Sequence, residues 1–95
     1  MVIKGTTATT YNSASINMAS KIVSFSLANK TGGAVTASIG IFYGSTITYI
    51  IYNKSIATAD SYIYTGNEIT IPKNYQIFIN VSGSTDYYIS IQGID

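Results

Sequence analysis

From residue 21 onward the chain alternates between apolar and polar positions. KIVSFSLAN (21–29) places Val23, Phe25 and Leu27 on one side and Ser24, Ser26 and Ala28 on the other. A period of two is that of a half-buried β-strand. AVTASIGIFY (34–43) repeats the pattern, with Val35, Ala37, Ile39 and Ile41 against Thr36, Ser38, Gly40 and Phe42. Between these two runs Asn29-Lys30-Thr31-Gly32-Gly33 reads as a hairpin turn, its glycines free to take positive φ. Gly40 marks either a bulge or a close approach of backbone.

The second half behaves alike. TITYIIYN (46–53), after a turn at Gly44-Ser45, sets Ile47, Tyr49 and Ile51 against Thr48, Ile50 and Tyr52. Large side chains on both faces predict a strand covered on both sides. A connector at 55–60 carries Ile56 as a plug for the core. Short strands follow at SYIY, with Tyr62 and Tyr64 opposite Ile63, and at EITI, with Ile69 and Ile71 inward. Pro72-Lys73-Asn74 is a strong turn with Pro suited to its first corner. YQIFINV then sets Tyr75, Ile77, Ile79 and Val81 against Gln76, Phe78 and Asn80, and YYISIQ sets Tyr87, Ile89 and Ile91 against Tyr88, Ser90 and Gln92. About seven short strands at roughly ten-residue spacing, with no sustained 3.6-residue period, predict an all-β chain: a single small antiparallel β-sandwich of Greek-key or jelly-roll type. Residues 1–20 lack a clear period and are expected to form an N-terminal arm or edge strand, with 21–95 as the sandwich domain.

Composition narrows the function. Ninety-five residues without cysteine make one domain with no disulfide staple. Histidine is absent too, which removes imidazole and thiolate metal sites and the commonest general base near neutral pH. Only 9% of residues are charged, against the usual quarter, and the five basic residues are all lysines, scattered singly. Without arginine or clustered positive charge, direct nucleic-acid binding is not expected. Seventeen isoleucines and nine tyrosines argue against disorder. No apolar run reaches the roughly 20 residues of a membrane helix, and the opening MVIKGTTATT lacks the apolar core of a secretion signal.

Candidate chemistry is sparse. Asp60 and Asp86 sit beside turns, where aspartate caps backbone, and neither they nor Glu68 and Asp95 form a recognisable catalytic pair. The serines and threonines have no histidine to activate them. Gly32-Gly33 lacks the lysine and helix of a phosphate loop. Three Asn-x-Ser/Thr triplets, at Asn29, Asn53 and Asn80, carry little weight in a chain so rich in these residues. No catalytic, metal or cofactor site is expected, and no cofactor. The aromatic rings remain. Tyrosine gives large contact area at low entropy cost, which suits protein interfaces and sugar-stacking platforms. Phe42 and Phe78 on outward positions, Tyr52 and Tyr88 opposite the inward isoleucines, and Tyr43 beside Gly44 are the candidate contact residues.

KIVSFSLANKTGGAVTASIGIFYG resembles the opening hairpin of small β-sandwich structural proteins of tailed bacteriophages, the crAss-like phages among them. SIATADSYIY (55–64) is similar to their middle motif, an Ile-Ala-x-x-Asp connector feeding a strand. Where many such chains read Ala-Gly-Asp, this one has Pro72-Lys73-Asn74, keeping a turn but losing the glycine and the acid. The likeness spans residues 21–91. It implies a non-enzymatic virion protein assembled in the host cytoplasm: an auxiliary capsid or decoration subunit, or a neck or tail accessory, present in multiple copies or as a homo-oligomer and bound to other virion proteins. Two alternatives stand beside it. One is a module binding glycans or a host surface, marked by an exposed aromatic cluster flanked by Asn or Asp in a shallow groove. The other is a fibre or pilus-like subunit using strand donation, which predicts a missing core strand.

Overall fold

A computed structural model describes residues 1–94. The described residues form nine strands and no helix: β1 (Val2–Thr7), β2 (Thr10–Asn12), β3 (Ser20–Asn29), β4 (Val35–Tyr43), β5 (Thr46–Ile56), β6 (Ser61–Tyr64), β7 (Ile69–Ile71), β8 (Gln76–Val81) and β9 (Thr85–Gly93). Their pairing follows one rule. The chain doubles back as a single long antiparallel hairpin, β4 against β5 at its tip, then β3 against β6 and β7, β2 against β8, and β1 against β9. β6 covers residues 25–28 of β3 and β7 covers 20–22, so the two share one edge position.

The apolar side of this hairpin has to be buried, and rolling it up does so. β9 pairs with β3 and β8 with β4, which gives a first sheet in the order β1-β9-β3-β6/β7 and a second in the order β2-β8-β4-β5. This is the strand order of a jelly roll. Inward positions of both sheets fill the core: Phe25, Leu27, Tyr87, Ile89 and Ile91 from the first face Val35, Ala37, Ile39, Ile77, Ile79 and Val81 from the second. Each fully buried aliphatic side chain contributes about 1.5–3 kcal/mol. Ile56 and Ile71 close the core at strand ends.

Rolling changes several expectations. Only β4 and β5 are consecutive strands joined as a hairpin. The turn there is Gly44-Ser45, and Gly44 at φ 64° takes the first corner as a type II′ turn requires. The 29–33 segment is not a hairpin turn: β3 and β4 lie in different sheets, the chain crosses between them, and neither Gly32 nor Gly33 has positive φ. Asn29 holds this crossing. Its buried amide nitrogen donates to the carbonyls of Gly33 (2.8 Å), Ile56 (3.0 Å) and Ala57 (3.1 Å), while its side-chain oxygen accepts from the backbone N–H and hydroxyl of Thr31. Of the two forms expected for residues 1–20, an arm or an edge strand, they take the second: β1 and β2 form one edge of each sheet, so this segment is part of the sandwich. The turn after β7 closes from Tyr75 N–H to Pro72 C=O, so Lys73 and Asn74 (φ 72°) occupy the corners and Pro72 precedes them.

Bulges account for two further departures. In β3 the register with β9 shifts between Ile22 and Ser24, so Ile22 is fully buried and Val23, expected inward, is only half-buried. In β5 the register with β4 shifts twice. Ile50 is an extra residue between the Ile39–Ile51 and Gly40–Tyr49 pairs, and Tyr52 and Asn53 together face Ser38. β5 is also an edge strand, not a covered one, and most of its residues are exposed.

Candidate aromatic face

The outer face of the second sheet is built from residues whose side chains alternate with the core. Even-numbered positions of β4 and β8 point out, which places Phe42, Phe78, Ser38, Gln76 and Asn80 there. Asn12, Phe78, Gly40 and Tyr49 form one row across the four strands. Gly40 has no side chain to separate its neighbours, so the Tyr49 and Phe78 rings meet across it with centroids 6.1 Å apart and planes at 78°. The same glycine lets the backbones close in: a Cβ here would lie 2.4 Å from the Thr48 carbonyl oxygen.

Four rings join on this face. Phe78 also meets Phe42 edge-on at 6.3 Å, and Tyr49 meets Tyr52 at 4.8 Å. Edge-to-face geometry is a preferred arrangement of aromatic pairs, so the cluster holds itself in shape. Tyr49 and Tyr52 are 42% and 66% exposed, while Phe42 and Phe78 are half-buried. Amides border the rings at Asn12 and Asn80. Between Asn12, Phe42, Ser45, Ile47 and Phe78 lies a shallow hollow of about 150 Å³. Lys54 is the single charged residue in the four strands, and its ammonium lies 5.6 Å over the ring of Tyr62 in the other sheet. The face is therefore uncharged.

Of the five candidate residues, the structure brings Phe42, Tyr52 and Phe78 together. Tyr43 stands apart at the end of the sandwich, against Tyr75 at 5.6 Å. Tyr88 lies on the opposite sheet, exposed, beside a trough formed with Lys4, Thr6, Ser26 and Asp86. Tyr49 belongs to the cluster and was expected on the same side as Ile51. The bulge at Ile50 puts the two on opposite sides, and the one signal near it was Gly40, which marks a bulge or a close approach of backbone but does not say which strand carries the extra residue.

The acidic groups have structural partners. Glu68 pairs with Lys21 at 3.0 Å, and a carboxylate oxygen of Asp60 accepts from the Ser61 N–H at 2.8 Å. Asp86 accepts from the Thr6 hydroxyl and lies 3.5 Å from the Lys30 ammonium. The Thr6 hydrogen bond, with Lys30 assisting, outweighs the opposing effect of burial and holds its carboxyl below the usual carboxylate range. Asp95 lies outside the described residues. Among those described, no three acidic, cysteine or histidine residues gather as a metal site. Comparison with known families, curated proteins and solved structures finds no match to this chain.

Proposed function

We propose that this chain is a non-enzymatic structural protein of a virion, an auxiliary capsid or decoration subunit or a neck or tail accessory, that seats on other virion proteins through the face bearing Phe42, Tyr49, Tyr52 and Phe78. The observation that carries this reading is the uncharged aromatic cluster itself. Rings of this kind form the desolvated centres of protein interfaces, where charged residues are depleted. The fold adds support by analogy alone, since jelly rolls recur in viral capsid and lectin domains. The resemblance of residues 21–91 to small phage sandwich proteins points the same way. Strand donation is disfavoured: the chain itself fills each position of the roll.

The test is light scattering and sedimentation with candidate particle shells lacking the protein. Saturable binding, weakened at least tenfold by Tyr52→Ala with Phe78→Ala, supports the proposal. A monomer that ignores the shells defeats it.

A glycan-binding module is the second reading. The observation in its favour is the hollow between Phe42 and Phe78 with Asn12 at its side, an exposed aromatic cluster flanked by an amide. Titration with neutral oligosaccharides separates the two readings: on the glycan reading the parent chain binds sugar and ignores the shells, and the same double variant, which removes Phe78 from the hollow, loses the sugar.

A further inference from the structure

We infer that the cavity between the sheets at the β1–β2 edge is a binding site for a single aliphatic chain. It lies off the aromatic face and is independent of the function proposed above. β2 is only three residues long, and the following segment, 13–19, runs past the core without joining a sheet. The sheets therefore part here and leave a cavity of about 520 Å³. That is within the range of small-molecule sites, ~300–1,000 Å³.

The wall chemistry selects the ligand. Ile3, Tyr11, Ile16 and Ile91 line the interior, with the thioethers of Met1 and Met18 at the rim. The serine hydroxyls in the wall are already committed: Ser13 donates to Ala14 C=O, Ser15 to Asn74 C=O and Ser20 to Met18 C=O. Among the described residues no charged side chain lines the cavity. The Met1 ammonium is committed to Ile91 C=O at 2.9 Å, and the Asn17 amide and Tyr11 hydroxyl are the other polar groups of a mostly apolar wall, so hydrocarbon finds far more contact here than a sugar or an anion does. The wall is also preformed. Segment 13–19 is tied down by hydrogen bonds from Ser13 N–H to Ile77 C=O (2.9 Å), Ile16 N–H to Tyr75 C=O (2.9 Å) and Asn74 N–H to Ile16 C=O (2.7 Å). Met1 and Met18, 66% and 52% exposed, are unbranched and adaptable, and suit a mouth that closes over a flexible chain.

The experiment titrates the full chain with hexanol, octanol and decanol, whose head group is the same and uncharged, and follows the isoleucine and methionine methyl signals by NMR. The expected result is one saturable site, with shifts at Ile16, Ile91 and Met18. Affinity should rise about fourfold per added methylene. Met18→Asp should weaken decanol at least tenfold while Met18→Leu retains it, with both variants keeping the parent urea midpoint. Tyr52→Ala, on the other face, should leave binding unchanged. Absence of saturation, affinity that does not change with chain length, or indifference to Met18→Asp overturns the proposal. So does concentration-dependent dimerisation abolished by Met18→Asp, which makes this end a seat for a second copy instead.

Discussion

Tyr49 and Phe78 touch although their strands are not neighbours: β4 runs between them, and at the point of contact it presents Gly40. One absent side chain thus serves both the backbone packing and the aromatic cluster. Gly40→Ala should force the β4–β5 backbones apart at Thr48 and cost about 1–3 kcal/mol, as overpacking does. Urea unfolding measures the cost, and a midpoint equal to the parent's would show that β5 gives way freely. Loss of the Tyr49–Phe78 proximity should accompany it, read as a vanished ring-to-ring nuclear Overhauser effect.

Asn29 is a buried clamp, and its removal should be among the costliest polar substitutions. Asn29→Ala leaves the carbonyls of Gly33, Ile56 and Ala57 without their side-chain donor and should destabilise by about 2–4 kcal/mol. Asn29→Asp keeps the shape but replaces the donor with a second acceptor, and should do no better. Chemical denaturation of both variants decides this. The same burial keeps this amide from serving as a glycan acceptor in the folded chain.

Ala59 has φ 59°, a left-handed conformation that costs a residue with a Cβ about 1–2 kcal/mol. Ala59→Gly should therefore raise stability by several tenths of a kcal/mol up to about 1 kcal/mol, despite the extra freedom glycine brings to the unfolded chain. A lower thermal midpoint would contradict it.

Two groups give the pH dependence. The Asp86 carboxyl titrates below its ordinary 3.8, first through the Thr6 hydrogen bond, so its contribution is present above that value and is lost as pH falls through the lowered folded pKa. Thr6→Val should flatten the acid limb of a stability–pH curve below about pH 4. Tyr87 moves the other way. Burial, then the neighbouring Tyr11, stacked on it at 4.7 Å, pushes its phenol above 10.0. Stability is full below that value and falls as pH rises through the raised folded pKa. Tyr11→Phe should move that alkaline loss, followed by tyrosinate absorbance against unfolding.

Much of this was legible in the chain because β4, β8 and β9 alternate without a shift across their inner positions. Ile77 and Ile79 inward and Phe78 outward follow from period two alone. The all-β sandwich follows from the same count. Bulges were not legible in their own strands: Val23 and Ile50 look like ordinary alternating residues, and each moves the phase of what lies beside it. Hence Ile22 replaces Val23 in the core, and Tyr49 joins a cluster from which alternation excluded it. For residues 1–20 an arm and an edge strand both stayed open, because edge strands expose most of their side chains and so carry little pattern. The crossing at 29–33 looked like a hairpin because glycine-rich turns join strands within a sheet as readily as between sheets. Only the pairing of distant strands tells these apart.

That pairing sets an order in time. The tip of the long hairpin, β4 with β5, closes over two residues, but β1 pairs with β9, Val2 lying opposite Ser90. Contacts so far apart in sequence make for slow folding, on the scale of milliseconds to seconds. At a synthesis rate of about 5–20 residues per second, β1 and β3 wait roughly 4–20 s for β9, their shared partner, to leave the ribosome. For that interval the edges of β1 and β3 that β9 will cover stay unpaired, while β6 and β7 can already close the other edge of β3.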